Sequence, residues 1–322
     1  MVHIMSSFPS RGPFLSSAED DVVSSLVGEA VGEAEGATPK HRYEWGAMIP
    51  WFLTHAAVLG AVWSGVTWES LVVMAALFFF RIFSVTAFHH RYFSHRTYST
   101  SRWFQFLMAW AAQTSTQRGV LWWAAHHRAH HLYSDTERDL HSAKQDGFWH
   151  SHVGWVFADN SETDWKRIKD FAQYPELVWL NKYWIVPPIV TGVLTLVLFG
   201  WPGLFIGFFA SQVLVWHSTY TINSLCHVWG NRRFETKDTS RNNLWLPLLT
   251  WGEGWHNNHH HHMNSCRQGF YWWEIDLSYY VIKMMSWVGL VWDIKEPSAR
   301  VLEEGRRLDA EAKSSARERA SA

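Results

Sequence analysis

The side chains most able to do chemistry in this sequence are histidines, and they come in three groups. HHRYFSH occupies 89–95, HHRAHH 126–131 and HNNHHHH 256–262. A neutral imidazole is the commonest nitrogen ligand for a metal, and on a helix positions i, i+3 and i+4 share one face. His127, His130 and His131 can therefore converge, and His256, His259 and His260 repeat the spacing. His90 and His95 are five apart, which needs a helix end or a local distortion to turn both rings inward. Asn223 and His227 are one helical turn apart on a further segment. The run of four histidines at 259–262 lies about sixty residues from the C-terminus, where a purification tag is not expected. So many nitrogens exceed the capacity of one ion and imply two. Without thiolates, and with positions left open for chemistry, iron suits the set better than a closed structural zinc.

What positions these groups is a chain of unusual solvent preference. Its 322 residues include 23 Trp and 20 Phe, yet the formal net charge is only -1. No basic stripe points to nucleic acid. The two cysteines, Cys226 and Cys266, form neither a disulfide scaffold nor a thiolate site. Mean hydropathy is -0.16, an average that hides apolar stretches at 47–66, 70–88, 184–200 and 203–222. A bilayer core of roughly 30 Å takes about twenty such residues. The stretches form two tight pairs, so the expected fold is an all-α integral membrane protein with four transmembrane helices in two hairpins. A buried core helix of a soluble protein is the alternative reading of each.

Lys and Arg concentrate in the long segments, eleven of them between Arg91 and Lys182, so by the positive-inside rule those segments face the cytosol. The expected organisation is a flexible lead over 1–44, a membrane domain over 45–297 whose cytosolic helical cap is 89–183 and 223–297, and a polar, solvated tail over 298–322. No secretory signal is seen, so the first span would direct insertion. Span two, continued to His95, would reach about 39 Å and span four, from Gly203 to His227, about 37 Å. Both would lift their histidines to the face that carries the other clusters.

The boxes HRYFSH, HRAHH and HNNHH, with SHRTYST, WWAAHHRAHHLYSDTERDLHS, GFWHSHVGW, NSLCH and GEGWHNNHH around them, resemble the membrane fatty acid desaturases of the stearoyl-CoA Δ9 type. The likeness runs from about 46 to 296, and RQGFYWWEID at 267–276 is similar to bacterial and cyanobacterial members. The resemblance implies four transmembrane helices under a cytosolic cap that holds a di-iron centre. It implies as ligands His90, His95, His127, His130, His131, His227, His256, His259 and His260, with Asn223 acting through water. His89, His126, His261 and His262 fall outside its pattern. His141, His152, Asp135, Asp139 and Glu253 are either partners of the ligands or ordinary solvated acids and buried histidines.

The same resemblance implies removal of two hydrogens from a saturated acyl chain to leave a cis double bond, most often at Δ9, with O2 as co-substrate. Electrons would come from cytochrome b5 or a ferredoxin with its reductase. No haem-binding segment is seen, so that donor is expected to be a separate protein. Gln117 and Trp123 match positions near the bend of the substrate tunnel and Tyr220 stands where animal members have Trp, though helix packing alone would also explain Trp123 and Tyr220. Ala125 and His126 replace an Arg-Asp pair that meets the CoA headgroup in animal members, so the substrate is either an acyl-CoA held differently or an acyl chain in a membrane lipid. The expected location is a bacterial inner membrane, or the endoplasmic reticulum in a eukaryote, with the active site on the cytosolic side. Two other readings remain: a membrane di-iron hydroxylase of alkanes or lipids, against which the WWEID and NSLCH contexts argue, and a membrane metal-binding or transport protein. Transport would place its ligands near the midplane, where the spans offer little beyond His55, Arg81, Gln212 and His217.

Overall fold

The computed structural model describes residues 43–158 and 160–321, so the expected lead lies outside the described residues but for its last two positions. The described chain is almost entirely helical, with one two-stranded antiparallel pairing of β1 (Ser99–Thr100) with β2 (Val291–Trp292). Helix α1 (Trp45–Ala57) continues through a tight turn to Ser64, where Gly65 at φ 75 ends it. Helix α2 (Trp68–Phe83) starts at a reciprocal cap: Ser70 N donates to Thr67 Oγ1 and Thr67 N to Ser70 Oγ, both at 3.1 Å. Each bond satisfies a donor that the first helical turn leaves free.

Among the described residues two helices are long and apolar enough to cross a membrane, Trp68–Ser94 and Val186–Val228. Helix α6 (Val186–Pro202) begins with Pro187 and Pro188, whose missing N–H groups cost nothing in a first turn. Gly200 adopts φ 65 and ψ -164 and breaks the run. The chain beyond it folds back, since Gly192 lies against the Phe208 ring and Gly207 against the Thr195 methyl. A π-helical stretch, Gly203–Ala210, then leads into α7 (Ser211–Val228). The outward side chains of these segments are apolar, Val62, Val197 and Leu198 among the most exposed. This is the pattern of a lipid-facing surface, where every backbone group must be satisfied within the helix. Buried between the segments, Arg81 donates to Phe208 O and Ser211 Oγ and lies 4.5 Å from the Phe208 ring centroid.

Further helices gather at the end of α2: α3 (Arg102–Gln113), α4 (Val120–Tyr133) and α9 (Leu277–Trp287) pack on it, α5 (Pro175–Lys182) packs on α3 and α4, and α8 (His256–His261) brings His259 against His90. Their shared core includes Phe93, Met108, Leu121, Leu177, Leu180 and Ile282. The tail forms helix α10 (Ala299–Ser321), largely exposed past Leu308. Its near end is tied down by Tyr271, which donates to Leu302 O, and by the Arg233–Asp309 pair.

At the centre of this layer Arg91, 1% exposed, bridges two buried carboxylates: Glu253 at 3.0 Å and Asp276 at 2.9 Å. Asp276 also accepts from the backbone N–H groups of Gln268 and Tyr279, so one side chain fixes both the loop before α9 and its first turn. Removing one partner of such a group strands charge in a dry interior, at a cost of about 3–5 kcal/mol. The Arg91→Ala protein is expected to lose stability of that order in detergent-solubilised thermal unfolding, and a midpoint within 2 °C of the parent, the shift that about 1 kcal/mol produces in a chain of this size, would contradict it.

Candidate metal centre and substrate cavity

Beyond Phe83 helix α2 widens into a π-helical stretch, Ser84–Ser94. This resolves the five-residue spacing of the first histidine pair. In a π-helix the hydrogen bond runs from i+5 to i, and His95 N donates to His90 O at 3.2 Å. The rings of His90 and His95 thus lie on the same side, with centroids 4.8 Å apart. Arg128 of α4 secures the exit of this stretch, donating to Phe93 O and Ser94 O while pairing with Asp170.

The nine histidines named from the sequence come together in two groups. His90, His95, His127, His131 and His259 form one, and His130, His227, His256 and His260 the other; within each, the nitrogens all lie within 4.8 Å of one another. Sequence spacing suggested that each HxxHH box turns to one side. Instead each box serves both groups. From α4, His127 and His131 enter the first group and His130 the second; from α8, His256 and His260 enter the second and His259 the first. The i, i+4 pair stacks on a single turn while the residue between them is rotated toward the neighbouring group. Asn223, half-buried, precedes His227 by one turn of α7, and its backbone carbonyl accepts from Ser151 Oγ.

Helix α8 holds this pose through its other face. Asn257 Oδ1 accepts from the N–H groups of Arg233 and Phe234, and its amide donates to Phe234 O. Asn258 donates to Gln268 O and Glu274 and accepts from Asn242 and Arg233. The two asparagines between the histidines are therefore anchors. His261 stacks on Phe234 at 3.9 Å, His126 stacks on Trp122 at 4.2 Å with Nδ1 on the Trp122 carbonyl, and His89 stacks on Trp123 at 5.2 Å. These three, with His262, stand in neither group.

Four rings turn Nδ1 to a carboxylate: His90 to Glu253 at 2.6 Å, His130 to Asp139 at 2.9 Å, His227 to Asp135 at 3.3 Å and His260 to Asp238 at 2.7 Å. A neutral imidazole carries one proton, so donating it at Nδ1 leaves a lone pair at Nε2. Nε2 of His130 and of His260 are buried with no hydrogen-bond partner. In the first group Nε2 atoms face one another at 2.9–3.0 Å, as in His95–His127, His127–His131, His131–His259 and His90–His259. Donors at right angles around an ion with bonds of about 2.1 Å would stand about 3.0 Å apart. Converging lone pairs at that spacing fit a cation in each group.

Glu253, Asp135 and Asp139 were recognisable from the sequence as partners; Asp238 was not, because RRFETKDTS carries no periodic signal and only the fold brings it to His260. His141 lies 3.8 Å from Asp139 and faces the His130 ring at 4.3 Å. His152 is elsewhere, in a series with His217 at 3.1 Å and Ser224 at 3.0 Å.

Electrostatics agrees with neutral rings. Burial and the neighbouring imidazoles hold His95, His127, His131, His256 and His259 well below the usual histidine value, and burial pulls His260 down to about 4 despite Asp238. Burial lowers His130 too, but Asp139, joined by Asp238 and Asp135, outweighs it and raises His130 above the usual value. Burial opposes ionisation of Asp135, Asp139 and Asp238, yet their histidine and hydroxyl partners hold all three below the carboxylate range.

A cavity of about 640 Å³ adjoins the first group. Gln117, Trp123 and Tyr220 all line it, and it runs from them to Gly192, Leu196, Leu204 and Phe208 among the apolar helices. Trp123 stands between cavity and cluster: its ring stacks on His127 at 4.9 Å and 17°, and its indole N–H donates to Gln117, which donates to Thr219.

Two nests of imidazole nitrogens thus stand beside an apolar cavity on a helical scaffold that includes segments long and apolar enough to cross a membrane. The model of the family described as fatty acid desaturase matches residues 66–283, and the chain belongs to that family: it is a desaturase. The sn-2 palmitoyl-lipid 9-desaturase of Nostoc sp. (strain 36) is 35% identical over 268 residues, 81% of this chain and 93% of that protein. The sn-1 stearoyl-lipid 9-desaturase of Anabaena variabilis is 36% identical over 74% of this chain and 89% of its own length. A chloroplastic palmitoyl-monogalactosyldiacylglycerol delta-7 desaturase of Arabidopsis thaliana is 35% identical over 72% of this chain, which spans 63% of that longer protein.

The depressed histidines make the metal-free protein acid-sensitive. Unfolded, each titrates near 6.5; folded, they protonate only at lower pH, so below 6.5 the unfolded chain binds more protons and stability falls as pH drops. His130 alone opposes this. Thermal unfolding of the metal-free protein should show a midpoint that declines steadily from pH 7 to pH 5, and a flat or rising midpoint would contradict the assignment of neutral rings.

Proposed function

We propose that this chain is an acyl-lipid desaturase of the membrane, forming a cis double bond at Δ9 in a saturated chain that is esterified in a glycerolipid. The observation that carries the reading is the Trp123 wall, shared between the apolar cavity and the histidine nests. The relatives' names supply the lipid-bound substrate and the position, and the Ala125–His126 dipeptide supports it by offering no cation where an Arg-Asp pair would meet CoA.

His90, His95, His127, His131 and His259 would hold one iron, and His130, His227, His256 and His260 the other, with Asn223 contributing through water. When bound, the two ions supply activation of O2, which no side chain can provide for an unactivated methylene pair. The protein's own residues do the rest. Glu253, Asp139, Asp135 and Asp238 fix tautomer and ring orientation by taking the Nδ1 protons, a kind of support whose loss commonly costs 10–100-fold in metal affinity. The cavity strips water from the chain and limits its path, so that the bond formed is set by how far the chain threads past Trp123.

Four spans, near 47–66, 70–88, 184–200 and 203–222, suit this function, with the histidine cap over 89–183 and 223–297 on the cytosolic side. The Gly200 break in the Val186–Val228 run and the apolar helix Met48–Ser64 support that count. A separate one-electron donor of cytochrome b5 or ferredoxin type would supply two electrons per turnover. Saturated chain, O2, two electrons and two protons then balance to the unsaturated chain and two waters.

Expression in a host lacking monounsaturated fatty acids should yield cis-Δ9 monoenes in membrane lipids by gas chromatography; hydroxylated products alone, or none with iron and a donor supplied, would overturn the reading. His260→Ala should abolish product and halve retained iron, while His262→Ala leaves both near the parent level. Equal losses in the two variants would show that the wrong rings of the 259–262 run have been chosen. Asp238→Asn should retain product at reduced rate and raise the iron concentration needed for half-occupancy by about 10–100-fold, read by metal titration.

A further inference from the structure

The cavity is apolar along the helices but carries one charge. Arg118 is the single charged residue in its wall among the described residues. The loop between α3 and α4 holds it there in a conformation that side-chain-bearing residues seldom adopt, with φ 63 at Arg118 and 54 at Thr116. That loop is pinned on both sides. Gln113 accepts from Val120 N, Asn181 accepts from Leu121 N and Trp122 N, and a side chain at Gly119 would collide with Asn181. The guanidinium is therefore presented by fixed backbone, 5.1 Å from the Trp122 ring centroid.

Among the described residues its partners leave capacity unused. A guanidinium has five N–H donors; the hydrogen bond it makes is a long one, Nη2 to Asn160 Oδ1 at 3.4 Å. The acidic group whose field reaches it is Glu44. A half-buried cation with a planar fork, at the cap end of a cavity sized for an acyl chain, is built to receive an oxyanion, and arginine does this bidentately.

We propose that Arg118 binds the phosphate of the substrate's acyl carrier, and that this carrier is a membrane phosphoglyceride. The proposal rests on the acyl-lipid reading above and names the headgroup. Phosphate is common to phosphoglycerides and acyl-CoA. The cavity wall favours the lipid, because Ile189 and Val193 line it and are each more than half exposed on the outward side of α6. A chain can enter there sideways while its headgroup stays at the level of Arg118. A neutral galactolipid offers this cation only uncharged hydroxyl and ester oxygens, which bind a guanidinium more weakly than a phosphate does.

The test uses the full chain in nanodiscs of neutral lipid doped with dipalmitoyl phosphatidylglycerol, dipalmitoyl monogalactosyldiacylglycerol or palmitoyl-CoA. Binding is read by native mass spectrometry of the metal-free protein, and turnover by product analysis of the iron-loaded protein with a reduced donor. Arg118→Gln is expected to weaken phosphatidylglycerol retention and raise its KM about tenfold, with the loss in KM and not kcat. Arg118→Lys, keeping the charge, should recover most of it, and the galactolipid should shift less than twofold. Equal shifts for phosphatidylglycerol and galactolipid, or none for either, would overturn the role of Arg118. A shift confined to palmitoyl-CoA would overturn the phosphoglyceride as carrier. The binding arm decides these outcomes without turnover; absence of product from the parent with all three carriers would instead count against the desaturase reading itself.

Discussion

Nine imidazole nitrogens aimed at two points in a dry interior are an unfavourable arrangement unless something positive sits between them. Much of the cap can be understood as the means of keeping them there. Left alone, such rings would rotate to pair with backbone or each other, so each must be held by its far side. Carboxylates do this for four of them. For α8 the hold is on the helix itself, through two asparagines hydrogen-bonded to the segments around it. The buried Arg91 ties the carboxylate behind His90 to the loop before α9, so the tautomer of one ring depends on packing that reaches across the cap.

How much of this could be read in advance follows from which contacts are local. Helical spacing brought His127 with His131 and His256 with His260, because i, i+4 neighbours are set by the helix alone. The same spacing put His130 with His127 and His131, and His259 with His256 and His260, whereas the fold sends each to the other nest, a division that depends on how α4 and α8 face one another. The five-residue interval from His90 to His95 announced a distortion but not its kind. Asp238 was invisible because its relation to His260 exists only once the chain has returned on itself. The apolar stretches were legible from composition, as was the reversal near residue 200. The cavity between them was not, because its wall is assembled from side chains on several segments.

The two halves of the molecule answer to different solvents, and the cavity lies where they meet. Along the helices its lining is apolar and matches an acyl chain; toward the cap it gains the amide of Gln117, the indole of Trp123 and the cation of Arg118. A ligand that is oil at one end and polar at the other is sorted by that gradient before any specific contact is made. Trp123 shares one face with this lining and the other with His127, so occupancy of the cavity and orientation of a nitrogen donor are properties of the same ring.

The π-helical stretch at Ser84–Ser94 carries an implication about inheritance. Because its histidines meet through an i to i+5 register, their convergence is encoded by the number of residues between them more than by what those residues are. Tyr92 or Phe93 could be exchanged for another aromatic with the site intact, but dropping either would rotate one histidine away by about a quarter of a turn. Among descendants of this gene the interval should drift in composition and never in length, a sequence signature of backbone geometry that no single side chain records.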